Sequence, residues 1–290
     1  MIRVGVAGWE YPDWSGTVYP ARAPRGFDRL AHLARFVDVV EVNTTFYRAI
    51  DPHHSSSWVR RTEGAPGFRF TAKAHRSLTH DAGADLSSVV PKTLAGLAPL
   101  REAESLGAVL VQFPQSFRHA ASSLERIERL LERLAGWPIV VEVRHASWGD
   151  PAVAEWFRAR GAGLAAIDQP RIGRSTLEAR PLATSPVAYL RLHGRNASAW
   201  FREDAGRDAR YDWLYTEEEL RPLAEAVATA ARSAAESFVI QNNHFRGKAL
   251  ANALMMKHLL GIERPEAPEE LVLAYPDLSR FAVTRRSRLF

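Results

Sequence analysis

Three carboxylates, one lysine, two arginines and two histidines of this 290-residue chain fall at the ends of short apolar runs, where a fold can gather chemistry. Glu41, Glu142 and Asp168 are candidate general bases if burial or a neighbour tunes their proton affinity. They are also candidate ion-pair partners of Lys73, Arg144 and Arg191. Lys73 is the only lysine at a predicted interior position. Desolvated, it could act as a base or form a Schiff base; its commoner role is counter-ion to a carboxylate or an anionic ligand. Arg144 and Arg191 suit forked recognition of phosphate or carboxylate, and His145 and His193 stand beside them. His193 shares the inward face of Arg191 and could shuttle a proton near neutral pH, whereas His145 falls on the following loop. Asn43, Gln112 and Asn243 could orient hydroxyls, and Trp9 and Tyr47 add aromatic surface. The expected catalytic set is Glu41, Lys73, Glu142 and His193. The expected substrate-binding set is Trp9, Asn43, Tyr47, Gln112, Arg144, His145, Asp168, Arg191 and Asn243.

Something must hold these groups together, and the pattern around them predicts what. Eight β-branched and apolar runs, at 4–7, 37–43, 68–73, 108–113, 139–144, 164–168, 187–193 and 238–243, alternate with helical segments such as 27–36, 124–134, 217–232 and 248–260. Ser122 with Glu125, and Thr216 with Glu219, read as capping boxes. Eight strands alternating with helices predict an α/β fold, a closed parallel (β/α)8 TIM barrel, with room for irregular late units. Gly5 and Gly8 lead into Trp9 and make no dinucleotide-binding loop.

Side chains alternate between the faces of a strand. Val40 and Val42 therefore oppose Val39, Glu41 and Asn43; Phe68, Phe70 and Ala72 oppose Arg69, Thr71 and Lys73. Val111 and Phe113 oppose Gln112. Ile139, Val141 and Val143 oppose Val140, Glu142 and Arg144; Leu190 and Leu192 oppose Tyr189, Arg191 and His193. The same reading sets Ala165 and Ile167 against Asp168, and places Gln241 and Asn243 on one face. In each case the polar set is assigned to the barrel interior, turning charged towards the C-terminal strand ends, where barrel sites sit.

The ordered motifs Gly8-Trp9-Glu10-Tyr11-Pro12-Asp13-Trp14, Glu41-Val42-Asn43-Thr44-Thr45-Phe46-Tyr47, Ala72-Lys73-Ala74-His75, Gln112-Phe113-Pro114, Glu142-Val143-Arg144-His145-Ala146-Ser147-Trp148, Arg191-Leu192-His193-Gly194 and Asn242-Asn243-His244 resemble the YecE-like family of TIM-barrel proteins. The resemblance runs from about Arg3 to about Leu260, with departures at His75 and Gln241. It implies the barrel and brings no reaction, substrate or cofactor.

Composition bounds the rest. The absence of cysteine excludes disulfides and thiolate metal sites and is compatible with a reducing cytosol. No leader and no stretch of about 18 apolar residues is visible, so a soluble cytoplasmic protein of one domain is expected over 1–290, with a barrel core at 3–260 and a C-terminal extension at 261–290. The last strand offers Gln241, Asn242 and Asn243 where a sugar-isomerase metal site needs an acid. Gln112 and Arg191 occupy the positions of paired glycosidase carboxylates. Neither a metal nor a cofactor is expected.

The net charge of +5 is carried almost wholly by arginine, and the dense basic run Arg285-Arg286-Ser287-Arg288 reads first as a solvated tail. Residues 194–215 carry Trp200, Phe201, Tyr211, Trp213 and Tyr215 in a connection long enough to be a lid. The leading expectation is a metal-independent hydrolase, lyase or isomerase acting on a small organic anion such as a sugar or nucleotide phosphate. Arg144 and Arg191 would hold the anion, Glu142 or Glu41 would be the base and His193 the acid. A nucleic-acid-processing or nucleic-acid-binding barrel is the second reading and a non-catalytic ligand sensor the third.

Overall fold

The computed structural model describes residues 1–171, 176–200, 202, 206–262 and 264–285. Phe201 of the long loop, and Arg286 and Arg288 of the basic run, lie outside the described residues.

Eight strands close into one all-parallel barrel in sequence order: β1 (Ile2–Ala7), β2 (Val39–Val42), β3 (Arg69–Lys73), β4 (Leu106–Gln112), β5 (Ile139–Glu142), β6 (Gly163–Asp168), β7 (Val187–Leu192) and β8 (Glu236–Gln241). Two apolar layers hold it. Outward residues such as Val40, Phe70, Val111, Val141, Leu190 and Val239 pack on the surrounding helices. A smaller inner cluster of Ala7, Val39, Ala108, Leu110, Val140, Ala165, Tyr189, Phe238 and Ile240 fills the barrel itself. The pairing of β3 with β4 slips by one residue, Phe70 facing Leu106 and Thr71 facing Ala108. Gly107 is the residue passed over, and a Cβ there would fall 2.2 Å from the Phe238 ring, which occupies that space.

The predicted polar faces of β2, β3, β5 and β7 point inward as expected. Those of β6 and β8 do not. Ala165 and Ile240 belong to the inner cluster, and Leu164, Ala166 and Val239 to the outer one. By alternation Asp168 and Gln241 therefore face the helices, and Asn243, past the strand end, reaches Asn252 of the helix Lys248–Leu259. For Asp168 and Asn243 the reason is chemical: their partners lie outside the barrel, on the 194–215 loop and the helix Lys248–Leu259.

The helices Ala121–Arg133 and Glu217–Ala230 match the apolar periodicity, and the expected helix Lys248–Leu259 forms but is buried on nearly every side. The Thr216–Glu219 capping box forms in both directions. The predicted Ser122–Glu125 box does not, because the helix begins two residues earlier: extended Ala120 is its N-cap, and its carbonyl takes the Ser123 and Leu124 amides. The connection from β6 to β7 carries no helix among its described residues. Beyond the barrel, Glu266–Pro268 and Val283–Arg285 pair as a small parallel ribbon, and Leu271, Leu278 and Phe281 bury into the outer apolar layer. Among the described residues no helix is long and apolar enough to cross a membrane.

The long loop leaves β7 through Gly194, whose φ of +92° and whose absent Cβ (2.7 Å from Trp213 Cβ) both require glycine. Gly194→Ala is expected to lower stability by about 1–3 kcal/mol, read as a lower urea midpoint with unchanged slope.

Candidate functional site

The inner cluster stops below the C-terminal strand ends, and above it the interior turns ionic. Arg191 of β7 is fully buried and spans the barrel. Its Nη2 donates to Glu41 Oε1 at 2.7 Å and its Nη1 to Glu142 Oε2 at 2.5 Å, joining β7 to β2 and β5. Nη1 is also 3.4 Å from Gln112 Oε1 and from His193 Nε2. Arg144, just past β5, donates to the other oxygen of Glu142 through Nε at 2.7 Å and approaches it through Nη2 at 2.6 Å. Its Nη1 has no partner among the described residues, and its side chain is 17% exposed, so this guanidinium faces the opening. Tyr189 donates to Glu41 Oε2 at 3.0 Å and contacts Thr71 Oγ1 at 2.7 Å, tying the network to the apolar plug below.

Charges buried this deeply persist only when paired. Burial alone would raise the proton affinity of Glu142, but the guanidiniums of Arg191 and Arg144 overcome it and hold the carboxyl far below its usual range. Burial and the neighbouring Glu41 carboxylate push the Tyr189 phenol well up, so it stays a donor. His193 is fully buried, and burial followed by the Arg191 charge drives its proton affinity well below the ordinary histidine value. Geometry agrees: an arginine can only donate, so the His193 nitrogen facing it must be unprotonated. His193 is a neutral imidazole, with the Asn242 side-chain amide 2.8 Å from Nδ1 to accept its proton.

Lys73 is different. It ends β3 on the inward face, half-buried, with its ammonium 4.9 Å from the centre of the Phe46 ring. Among the described residues it makes no hydrogen bond or ion pair, because Arg191 and Arg144 already occupy the two carboxylates. Burial, then the charge of Arg191, lowers its pKa to about 7, against the opposing pull of Glu41 and Glu142.

The remaining expected residues divide in two. Asn43, Trp9 and Tyr47 line a cavity of about 200 Å³ beside the ends of β1 and β2. Trp9 is 7% exposed and packs edge-on against Trp58; its Nε1 and Asn43 Oδ1 are buried without a partner among the described residues, and Tyr47 is 69% exposed at the rim. His145, Asp168 and Asn243 stand apart from the ionic centre. His145 accepts from the Ser147 amide at 3.0 Å and caps the turn Ala146–Trp148. Asp168 receives Arg195 at 2.8 and 2.9 Å and the Tyr215 hydroxyl at 2.6 Å, while that hydroxyl accepts from the Gly194 amide at 2.8 Å. Asn243 donates to the Trp213 carbonyl and to Asn252 Oδ1, and Asn252 pairs with both backbone groups of Tyr215. Asp168 and Asn243 with these partners clamp the two ends of the long loop. Between the ends, Trp200 and Tyr211 stand with ring centres 6.0 Å from the His193 ring, closing an aromatic cover over it.

Residues passed over at the strand level complete both assemblies: Asn242 in the centre, and Arg195, Tyr215 and Asn252 in the clamp. Tyr189 carried a signal, since it shares the inward face of Arg191. Asn242 carried none, because the chain leaves strand geometry after Gln241. A cavity of about 510 Å³ lies at the opposite face, at the N-terminal strand ends. Its cations are mostly matched, Arg3 by Glu236, Lys257 by Asp38 and Arg285 by Glu266, as suits a stabilising face.

A family model described as protein of unknown function DUF72 matches residues 3–273. The chain belongs to the DUF72 family. Among DUF72 proteins of known structure, one from Thermotoga maritima is 33% identical with a TM-score of 0.78, covering 90% of this chain and 99% of its own. Another, from Enterococcus faecalis, is 28% identical with a TM-score of 0.79, covering 90% and 96%. The UPF0759 protein YunF of Bacillus subtilis is 28% identical over 287 residues, 94% of this chain and all of its own. The UPF0759 protein YecE of Escherichia coli is 28% identical over 184 residues, 63% of this chain and 61% of its own.

In this DUF72 barrel, removing one partner of the buried network leaves charge uncompensated. Arg191→Met is expected to cost about 3–5 kcal/mol, measured by chemical denaturation, or to abolish soluble expression. Lys73 gives the opposite sign. The folded chain releases its proton near pH 7 and the unfolded chain near 10.5, so the folded state binds fewer protons in between and wild-type stability rises across that window. Lys73→Met should therefore exceed wild type most below pH 7, the gain in melting temperature shrinking as pH approaches 10.

Proposed function

We propose that this barrel is an enzyme that binds a small organic anion at its C-terminal mouth. One observation carries the reading: the two interior carboxylates are taken up by Arg191 and Arg144, which leaves the half-buried Lys73 ammonium with no counter-ion among the described residues. A cation kept from water gains most from an anion delivered to it. Lys73 and the free Nη1 of Arg144 are the groups offered to that ligand. Arg191 serves them from below, fixing Glu41 and Glu142, and takes no direct part in anion binding. The neutral His193 lines the floor and is no proton donor at neutral pH; Gln112 and Asn43 remain the neutral groups for ligand hydroxyls. Trp200 and Tyr211, between the two anchored ends of the long loop, are the cover.

A nucleic-acid surface is the weaker reading, because many exposed arginines are spent on neighbouring acids, such as Arg158 on Glu155, Arg160 on Glu128 and Arg171 on Glu178.

Calorimetric titration with inorganic phosphate and with pyruvate tests the proposal. Saturable binding of at least one anion is expected, weakened tenfold or more by Lys73→Ala and by Arg144→Gln. Absence of binding by both anions, or binding indifferent to both substitutions, overturns it.

A further inference from the structure

The chain has four lysines against thirty-four arginines, so each lysine position is informative. Lys248 pairs with Asp212 and Lys257 with Asp38, and Lys92 is exposed on the helix Leu86–Glu102. Lys73 alone is half-buried at the barrel mouth without a carboxylate among the described residues. An arginine there would keep a cation for binding but could never lose its proton. A lysine can, and its free amine is a nucleophile.

The surroundings favour that use. One side of the ammonium is covered by the Phe46 ring rather than by water or an acid. The groups acting on it from the other elements are Arg191 and His193 of the β7 end, Glu41 of β2, and Glu142 and Arg144 at the end of β5; His80 lies beyond Phe46. The two carboxylates are held by guanidiniums, so neither is free to lock the ammonium in its charged form. Burial and the nearby arginine bring its pKa to about 7, which leaves a large share of neutral amine under ordinary conditions. Arg144, with one nitrogen uncommitted, stands by to hold an anionic substituent of the same ligand.

We infer that Lys73 forms an imine with the carbonyl carbon of a short-chain ketone or aldehyde that also carries a carboxylate or phosphate; this rests on the anion-binding reading above and names its substrate class. The ammonium first gives one proton to solvent. The Nζ lone pair then forms the N–C bond while the carbonyl π pair moves to oxygen, which takes a proton from nitrogen. A solvent proton lets that oxygen depart as water while the nitrogen lone pair closes the C=N bond. The net change is ammonium plus carbonyl to iminium plus water, with no oxidant or reductant consumed.

Borohydride trapping tests it on the full chain, with pyruvate and with dihydroxyacetone phosphate as probes. Hydride adds to the iminium carbon and leaves a stable secondary amine. The expected result is one adduct per chain by intact mass, mapped to the peptide carrying Lys73. Lys92 should stay unmodified, and labelling should rise several-fold between pH 6 and pH 8 as the amine loses its proton. Lys73→Arg should abolish the adduct while retaining anion binding; should that variant fail to fold, the peptide map of the wild-type protein still locates the adduct. Anion binding without an adduct from either probe overturns the imine and leaves the anion reading standing. An adduct spread equally over Lys92 and Lys73 also overturns it. Absence of binding by both anions overturns both.

Discussion

A guanidinium buried to zero exposure must find its charge compensated inside the fold, and Arg191 finds it in Glu41 and Glu142 on two other strands. That requirement organises the upper half of the barrel. It sets the level at which the apolar filling ends, because Tyr189 joins the plug through its ring and the ionic layer through its hydroxyl. It keeps His193 neutral, and it leaves Arg144 half-engaged and Lys73 unengaged. The polar residues nearest the mouth are what remains after the centre has been neutralised.

Much of this was legible in the sequence. Wherever an apolar set and a polar set alternated clearly, as at Val40 against Glu41 or Val141 against Glu142, the side each residue faces followed from strand parity. The expectation failed at β6 and β8, where alanines and a glutamine gave parity little to grip. Ala165 is small enough to fill the crowded interior, so Asp168 had to face the helices. Parity says which residues share a face but is silent on which face is inside when both are of middling polarity. The charge ledger within the centre was less legible still. Two arginines and one lysine were all cations by type; only the three-dimensional pairing separates the one wholly consumed from the one left over.

The long loop after β7 makes a related point about buried polarity. Asp168 and Asn243 look like ligand-binding groups at strand ends, yet Tyr215, Arg195 and Asn252 consume them. A connection of this length needs anchors, and the barrel supplies them from the outward faces of the strands flanking β7. The inward face stays available for the ionic centre. The loop can thus be held firmly at its ends without drawing on Glu41, Glu142 or Lys73.

The Phe238 ring, seated in the space that Gly107 leaves open, stops the lower barrel. With the apolar filling it makes the interior a blind tube rather than a passage. Traffic through such a vessel is single-file: whatever arrives at the mouth must depart by it. A ligand held as proposed at Lys73 and Arg144 would have to leave before a second could take its place.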